Sequence, residues 1–268
     1  MFVDSHCHLS FPGLLDRIPD IRQQMEQARV DRALCICTQL EEFDTVYGLA
    51  LAHDNFWATV GVHPDNEGIA EPSLEDLVSC AALPRVVAIG ETGLDYYRLN
   101  GRTVGEMEWQ RERFRVHIRA ARETGLPLVV HTRSASDDTL AVLRDEGQGQ
   151  VGGVFHCFTE TMAVAMAALD MGFYISFSGI LSFKNAQDIR DVAAAVPMNR
   201  CLIETDSPYL APMPFRGKVN QPAWVAHVAQ ALAAAKGVTV EEVAEATSAN
   251  FQTLFPRVVC APDLTAKT

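Results

Sequence analysis

Arg85-Val86-Val87-Ala88-Ile89-Gly90-Glu91 decides the fold. Its apolar run has no polar alternation, so it reads as a strand buried on both faces, as in a parallel sheet covered by helices. Working outward, seven other short runs have the same character. They are residues 2–8, 33–38 and 56–62 before it, and 128–131, 153–156, 173–177 and 201–205 after it, with 86–90 as the fourth of the eight. Amphipathic stretches separate them, at 18–30, 42–53, 73–82, 106–124, 135–145, 161–170, 186–196 and 222–235. The segment 106–124 is the plainest helix: Trp109, Phe114, Val116, Ile118, Ala120 and Ala121 are interleaved with arginines that read as a solvated face. Gly125 and then Pro127 end it, as a glycine past the last turn followed by proline would. Eight strand–helix units in order predict an α/β protein, a single (β/α)8 TIM barrel. A doubly wound sheet gives the same pattern. A last helix near 239–254, opened by Thr239 ahead of Glu241 and Glu242, is expected on the outside of the barrel. No linker or repeat divides the chain, so residues 1–256 read as one domain and 257–268 as a tail.

The composition narrows the function. Of 268 residues, 48% are hydrophobic and 21% charged, which is the balance of a globular chain. The formal net charge of −12 argues against a broad basic groove for nucleic acid. It leaves room for chemistry on phosphates, because bound metal ions supply positive charge locally. The seven cysteines have no framework spacing, and Cys35 and Cys37 read as small buried hydrophobes. No basic leader and no membrane-length apolar run is visible, so a reducing, cytoplasmic setting with no membrane contact is expected, with a monomer as the expected state.

Five of the eight histidines fall at the C-terminal end of a strand: His6 and His8 on the first, His63 on the third, His131 on the fifth and His156 on the sixth. Glu91 follows the fourth strand and Asp206 the eighth. A barrel builds its active site at that rim. Strand alternation points His6 and His8 the same way, toward the mouth, with Cys7 facing outward. Asp4 shares the face of His6 and is expected to orient it, and Glu204 is expected on the face of Asp206. Imidazole and carboxylate together suit Zn, Mn or Mg. Arg133 follows His131, and Arg216 and Lys218 lie in the proline-rich loop after the eighth strand; such cations beside a metal centre suit a phosphate-bearing substrate. His117, inside the fourth helix, reads as structural, and the glycines of Gly90-Glu91-Thr92-Gly93 as permitting a sharp turn.

Ser5-His6-Cys7-His8, Gly61-Val62-His63-Pro64, Gly90-Glu91-Thr92-Gly93-Leu94-Asp95-Tyr96-Tyr97, His131-Thr132-Arg133, His156-Cys157-Phe158 and Glu204-Thr205-Asp206-Ser207-Pro208-Tyr209-Leu210 together resemble the TatD family of metal-dependent deoxyribonucleases. The resemblance runs over about residues 2–255 and implies a TIM barrel. It implies two divalent ions, Zn, Mg or Mn, one held by His6, His8 and Asp206 and the other by His131 and His156, with Glu91 between them. It further implies that His63, Arg133 and the loop of Arg216 and Lys218 bind the substrate phosphate. Two departures, Asn220-Gln221-Pro222 and Ser134-Ala135-Ser136, fall in substrate loops and leave every metal position intact.

The expected activity is cleavage of DNA phosphodiesters by a metal-bound hydroxide, at ends or on single strands. Asp206 is the expected proton-handling carboxylate, and Glu204 the alternative base or the partner of a ligand. Arg133 would stabilise the phosphate. An amidohydrolase acting on a cyclic amide and a deacylase of aminoacyl-tRNA are the competing readings, because the same metals would serve them.

Overall fold

In a computed structural model, residues 1–258 are described. Among them the eight expected strands form one parallel sheet in sequence order: β1 (Phe2–Cys7), β2 (Val30–Cys35), β3 (Phe56–Val60), β4 (Val86–Asp95), β5 (Leu128–Arg133), β6 (Gly153–Phe155), β7 (Tyr174–Phe177) and β8 (Cys201–Ile203). The two edges meet just past β8. Cys7 and Ser207 form a parallel bridge, the His8 amide donates to the Ser207 carbonyl and the Asp206 amide to the His6 carbonyl. This seam closes the sheet into a barrel, which excludes the doubly wound alternative. Helices α1 (Ile18–Gln27), α2 (Phe43–Ala52), α3 (Leu74–Ala81), α4 (Glu108–Thr124), α5 (Ser136–Gly147), α6 (Met162–Asp170), α7 (Gln187–Ala195) and α8 (Val225–Lys236) follow the strands in turn, and α9 (Val240–Leu254) comes last.

Local sequence explains the boundaries. Gly125 ends α4 at φ +69°, the left-handed conformation that glycine adopts without a Cβ penalty. Thr239 caps α9 reciprocally with Glu242, as Ser73 caps α3 with Asp76. The face of α4 is less solvated than its arginines suggest: Arg113 is buried, and its guanidinium binds the Glu71 carboxylate and the carbonyls of His63 and Asn66.

The core has two parts. The larger lies between the strands and the helices. The second draws on every strand: Val3, Leu34, Trp57, Val87 with Ala88, Val129, Val154, Tyr174 and Leu202. Side chains from strands on opposite sides of a ring can share a cluster only through its interior, so this is the barrel's own filling. Phe251, Phe255 and Val258 join it. The end of α9 and the residues after it therefore plug the N-terminal opening, rather than lying only on the outside. Of the segment 257–268 set apart as a tail, Val258 is buried and Arg257 donates to the Ala81 carbonyl; residues 259–268 lie outside the described residues.

Strand β4 does not turn at Gly90 but runs on through Asp95. Gly93 pairs with His131 of β5 at φ +134°, and a Cβ there would overlap the His131 carbonyl oxygen. The glycines of this stretch allow close approach between strands, and the pairing with β5 shifts register between Ile89 and Thr92 without ending the strand. That continuation carries Glu91 and Asp95 up to the mouth.

Candidate metal centre

Glu91 stands at the middle of the C-terminal mouth and is buried. Its Oε2 faces His6 Nε2 at 3.3 Å and His8 Nε2 at 3.8 Å. Its Oε1 faces His156 Nε2 at 2.8 Å, His131 Nδ1 at 3.2 Å and His63 Nε2 at 3.3 Å. Asp206, turned in by a left-handed φ of +55°, brings its Oδ1 to 3.3 Å from His8 Nε2 and 3.6 Å from His6 Nε2. The seven residues come from the ends of β1, β3, β4, β5, β6 and β8. Three donor triads lie within cation-holding distance: His6–His8–Glu91, His6–His156–Asp206 and His63–Glu91–His131. His6 stacks on His156 with ring centroids 3.8 Å apart, which is why one triad mixes the two sets.

Each of two rings is held between two carboxylates. His131 Nε2 meets Asp95 Oδ2 at 3.0 Å and His156 Nδ1 meets Glu204 Oε1 at 3.2 Å, while the other nitrogen of each faces Glu91 Oε1. A carboxylate only accepts, so a neutral ring that keeps its proton on the Asp95 or Glu204 side would offer a cation the lone pair of His131 Nδ1 or His156 Nε2. These two nitrogens lie 3.4 Å apart, and the Nε2 atoms of His6 and His8 lie 3.2 Å apart. Nitrogens converging so closely beside carboxylate oxygens form a donor set suited to a divalent cation. His63 differs. Its Nδ1 accepts the Asp65 amide at 3.0 Å, so the proton sits on Nε2 and that edge donates. A donor suits an oxygen better than a cation.

The electrostatics agree with a cation site. Burial works to raise the Glu91 carboxyl, but the rings of His156, His63 and His6 outweigh it and hold the group well below the usual carboxylate range. Burial works to lower His156, and the carboxylates of Glu91 and Glu204 overcome it and hold the ring well above its ordinary value. Asp206 is likewise lowered by His8 and His6 against its burial. The same concentration of negative charge that retains protons attracts metal ions.

Other expected residues fall elsewhere. Glu204 is fully buried, its Oε1 taken by the Cys157 amide and His156, and it does not line the cavity. Its Oε1 partners His156, and its Oε2 has no hydrogen-bond partner among the described residues. Asp4 touches the His6 backbone amide and not its ring; its carboxyl binds the amide and hydroxyl of Thr205, and burial pushes it up to about 8. Arg133 lines the cavity, its guanidinium 3.6 Å from the centre of the Tyr97 ring. Arg216 and Lys218 do not line it: Arg216 lies over Phe183 and Lys218 near Phe215. Two residues that the sequence motifs did not single out matter here. Asp95 orients His131, and its two-residue spacing from Gly93 within one strand is the signal that could have found it. Arg98 lines the cavity and makes no ion pair among the described residues.

A closed parallel barrel with a histidine–carboxylate cluster at its C-terminal mouth defines the class of metal-dependent barrel hydrolases. The family model described as TatD related DNase matches residues 3–256. The metal-dependent hydrolase YcfH of Escherichia coli strain K12 is 48% identical over 257 residues, covering 94% of this chain and 95% of its own. A Citrobacter rodentium protein named 3'-5' ssDNA/RNA exonuclease TatD is 35% identical over 85% of this chain and 88% of its own. The crystal structure of YjjV, a TatD homologue from Escherichia coli K12, superposes with a TM-score of 0.88 at 29% identity, covering 95% of this chain and 98% of that one. The chain belongs to the TatD family of metal-dependent hydrolases.

Proposed function

We propose that this hydrolase cleaves phosphodiester bonds of DNA, acting on ends or single strands, with two divalent ions at the mouth of the barrel. The observation that carries the reading is Glu91, each of whose oxygens faces a separate set of histidines. His6, His8 and Asp206 would hold one ion and His131 and His156 the other. Ions held there would supply Lewis-acid charge to the phosphate and acidify water, with Zn, Mg and Mn all compatible with these donors.

The chain's own residues do the rest. Asp95 and Glu204 would accept the outer protons of His131 and His156 and so leave the inner nitrogens free for an ion. His63 turns its Nε2–H to Glu91 Oε1 on the cavity wall and would donate it to a phosphate oxygen once ions engage that carboxylate. Arg133, held flat by Tyr97, adds charge that neutralises the same group. Asp206 stays ionised and partly open to the cavity, placed to accept a proton from the water that attacks. Arg113 and His117 of α4 brace the loop that carries His63: His117 Nε2 accepts the Val62 amide, and Arg113 donates to the His63 carbonyl.

End-labelled single- and double-stranded DNA, incubated with added Mg, Mn or Zn and with chelator, tests the reading. Metal-dependent shortening of single strands is the expected result. No cleavage under any metal, together with turnover of a cyclic amide or an aminoacyl ester, would replace it with a carbonyl hydrolase.

A further inference from the structure

Opposite walls of the metal cavity have different chemistry. Arg98 and Arg133 rise from the ends of β4 and β5. In a barrel whose strands run in order from one to eight, the seam of β1 and β8 lies half-way round from them. That side carries Phe11 and Tyr209, which also line the cavity. Each sits three residues past a metal-donor side chain, in a turn closed by a backbone hydrogen bond. The Phe11 amide donates to the His8 carbonyl at 3.1 Å and the Tyr209 amide to the Asp206 carbonyl at 3.0 Å. Phe11 stacks on the His8 ring at 4.7 Å, and Tyr209 meets Phe11 edge-on at 6.4 Å. Tyr209 is 56% exposed, and its hydroxyl has no hydrogen bond among the described residues. The buried Asn220 amide pins its backbone, donating to the carbonyls of Tyr209 and Thr205.

Tyr209 is exposed and Phe11 half-buried, so a backbone-anchored aromatic pair opens onto the same cavity as the phosphate-suited floor. We infer that Phe11 and Tyr209 form a stacking site for the terminal nucleobase of a single-stranded nucleic acid, with the adjoining phosphates directed across the metal floor toward Arg133 and Arg98. The inference rests on the phosphodiesterase reading of the same site and adds what lies beside the scissile phosphate. A flat π surface favours any base and is tolerant of sequence. A base inside a duplex is already stacked, so this wall selects frayed or unpaired ends. The cavity, about 630 Å³, is of a size that holds a small-molecule-sized group and not a duplex.

The test uses the metal-loaded protein and single-stranded oligonucleotides that differ only in whether the nucleotide at the 3' or the 5' end is abasic. In the wild type, loss of the base at the end that docks first should lower kcat/KM about 5-fold to 150-fold, mostly through KM. In Tyr209→Ala and Phe11→Ala combined, the ratio of normal to abasic substrate should fall to about 1. Tyr209→Phe, which keeps the ring, should keep the wild-type ratio. A wild-type ratio near 1 at both ends, or a wild-type ratio retained by the double alanine variant, overturns the inference. Failure of the phosphodiesterase reading is seen separately, as no cleavage of any oligonucleotide. Calorimetric binding of dAMP against deoxyribose 5-phosphate then decides the matter without turnover. A base-dependent affinity that the double variant loses upholds the aromatic site, and equal binding of the two ligands overturns it.

Discussion

At the N-terminal end of the barrel, the strands contribute Val3, Leu34, Trp57, Val87 and their neighbours, and Phe251, Phe255 and Val258 fill the opening. At the C-terminal end the same strands finish on His6, Glu91, His131 and Asp206, and the opening is a cavity. The first end satisfies every side chain by burial alone. The second collects ionisable groups whose mutual field only a positive charge relieves. Stability and chemistry are thereby assigned to opposite ends of the same strands, and substitutions can show whether the division is real.

Glu91→Gln carries the largest expected effect. It removes the charge that faces both histidine sets, so metal content measured by elemental analysis should fall and kcat/KM should drop about 10³-fold or more, ~4 kcal/mol of transition-state stabilisation. Its thermal midpoint without metal should fall as well, because the variant leaves the buried rings of His156 and His6 without the charge they face. Wild-type metal content together with wild-type kcat/KM in that variant breaks the division from the chemical side. Phe251→Ala probes the other side. Removing a fully buried ring from the plug should cost about 3–5 kcal/mol in urea unfolding, with kcat per folded molecule unchanged.

His117 ties the two ends to pH. Its ring is buried between the Val62 amide and the Arg113 carbonyl, and burial pushes its pKa down to about 4 from an ordinary 6.5. The depressed value means the unfolded chain takes up the proton first. The contribution is therefore complete above pH 6.5 and is lost as pH falls toward 4, by roughly 3 kcal/mol in all. His117→Gln should flatten that part of the unfolding profile; an unchanged slope between pH 6.5 and 4 assigns it to other groups. The smallest effect separates ligand from bystander. Asp95→Asn should weaken metal binding about 10–100-fold by releasing His131. His63→Asn should leave metal content as in the wild type, since its cavity edge donates. Loss of an ion from the His63 variant would move that residue into the donor set.

The strand order and the rim histidines were legible because alternation and burial are local properties. Eight short apolar runs, each ending in a ligand-type residue or a turn, can be read one at a time. What depended on register between strands was not. Asp95 reaches His131 only because Gly93 lets β4 lie against β5. Glu204 and Asp206 would share a face if β8 continued, but it ends at Ile203, and the left-handed Asp206 turns into the mouth while Glu204 stays buried. Arg113 looked solvated because its partners, Glu71 and the loop carbonyls, come from a distant segment. The plug by Phe251 and Phe255 needed the closed barrel before it could be seen.

The seam between β1 and β8 has a consequence in time. The His6 carbonyl receives the Asp206 amide there, joining a residue from the beginning of the chain to one two hundred positions later. On the ribosome His6 and His8 emerge first, and Asp206 only after all eight strands have been made. A growing or truncated chain that stops before the seam has histidines but neither a closed ring nor Asp206. The hydrogen bond that closes the ring thus also brings in Asp206, the last of the donor side chains to be made.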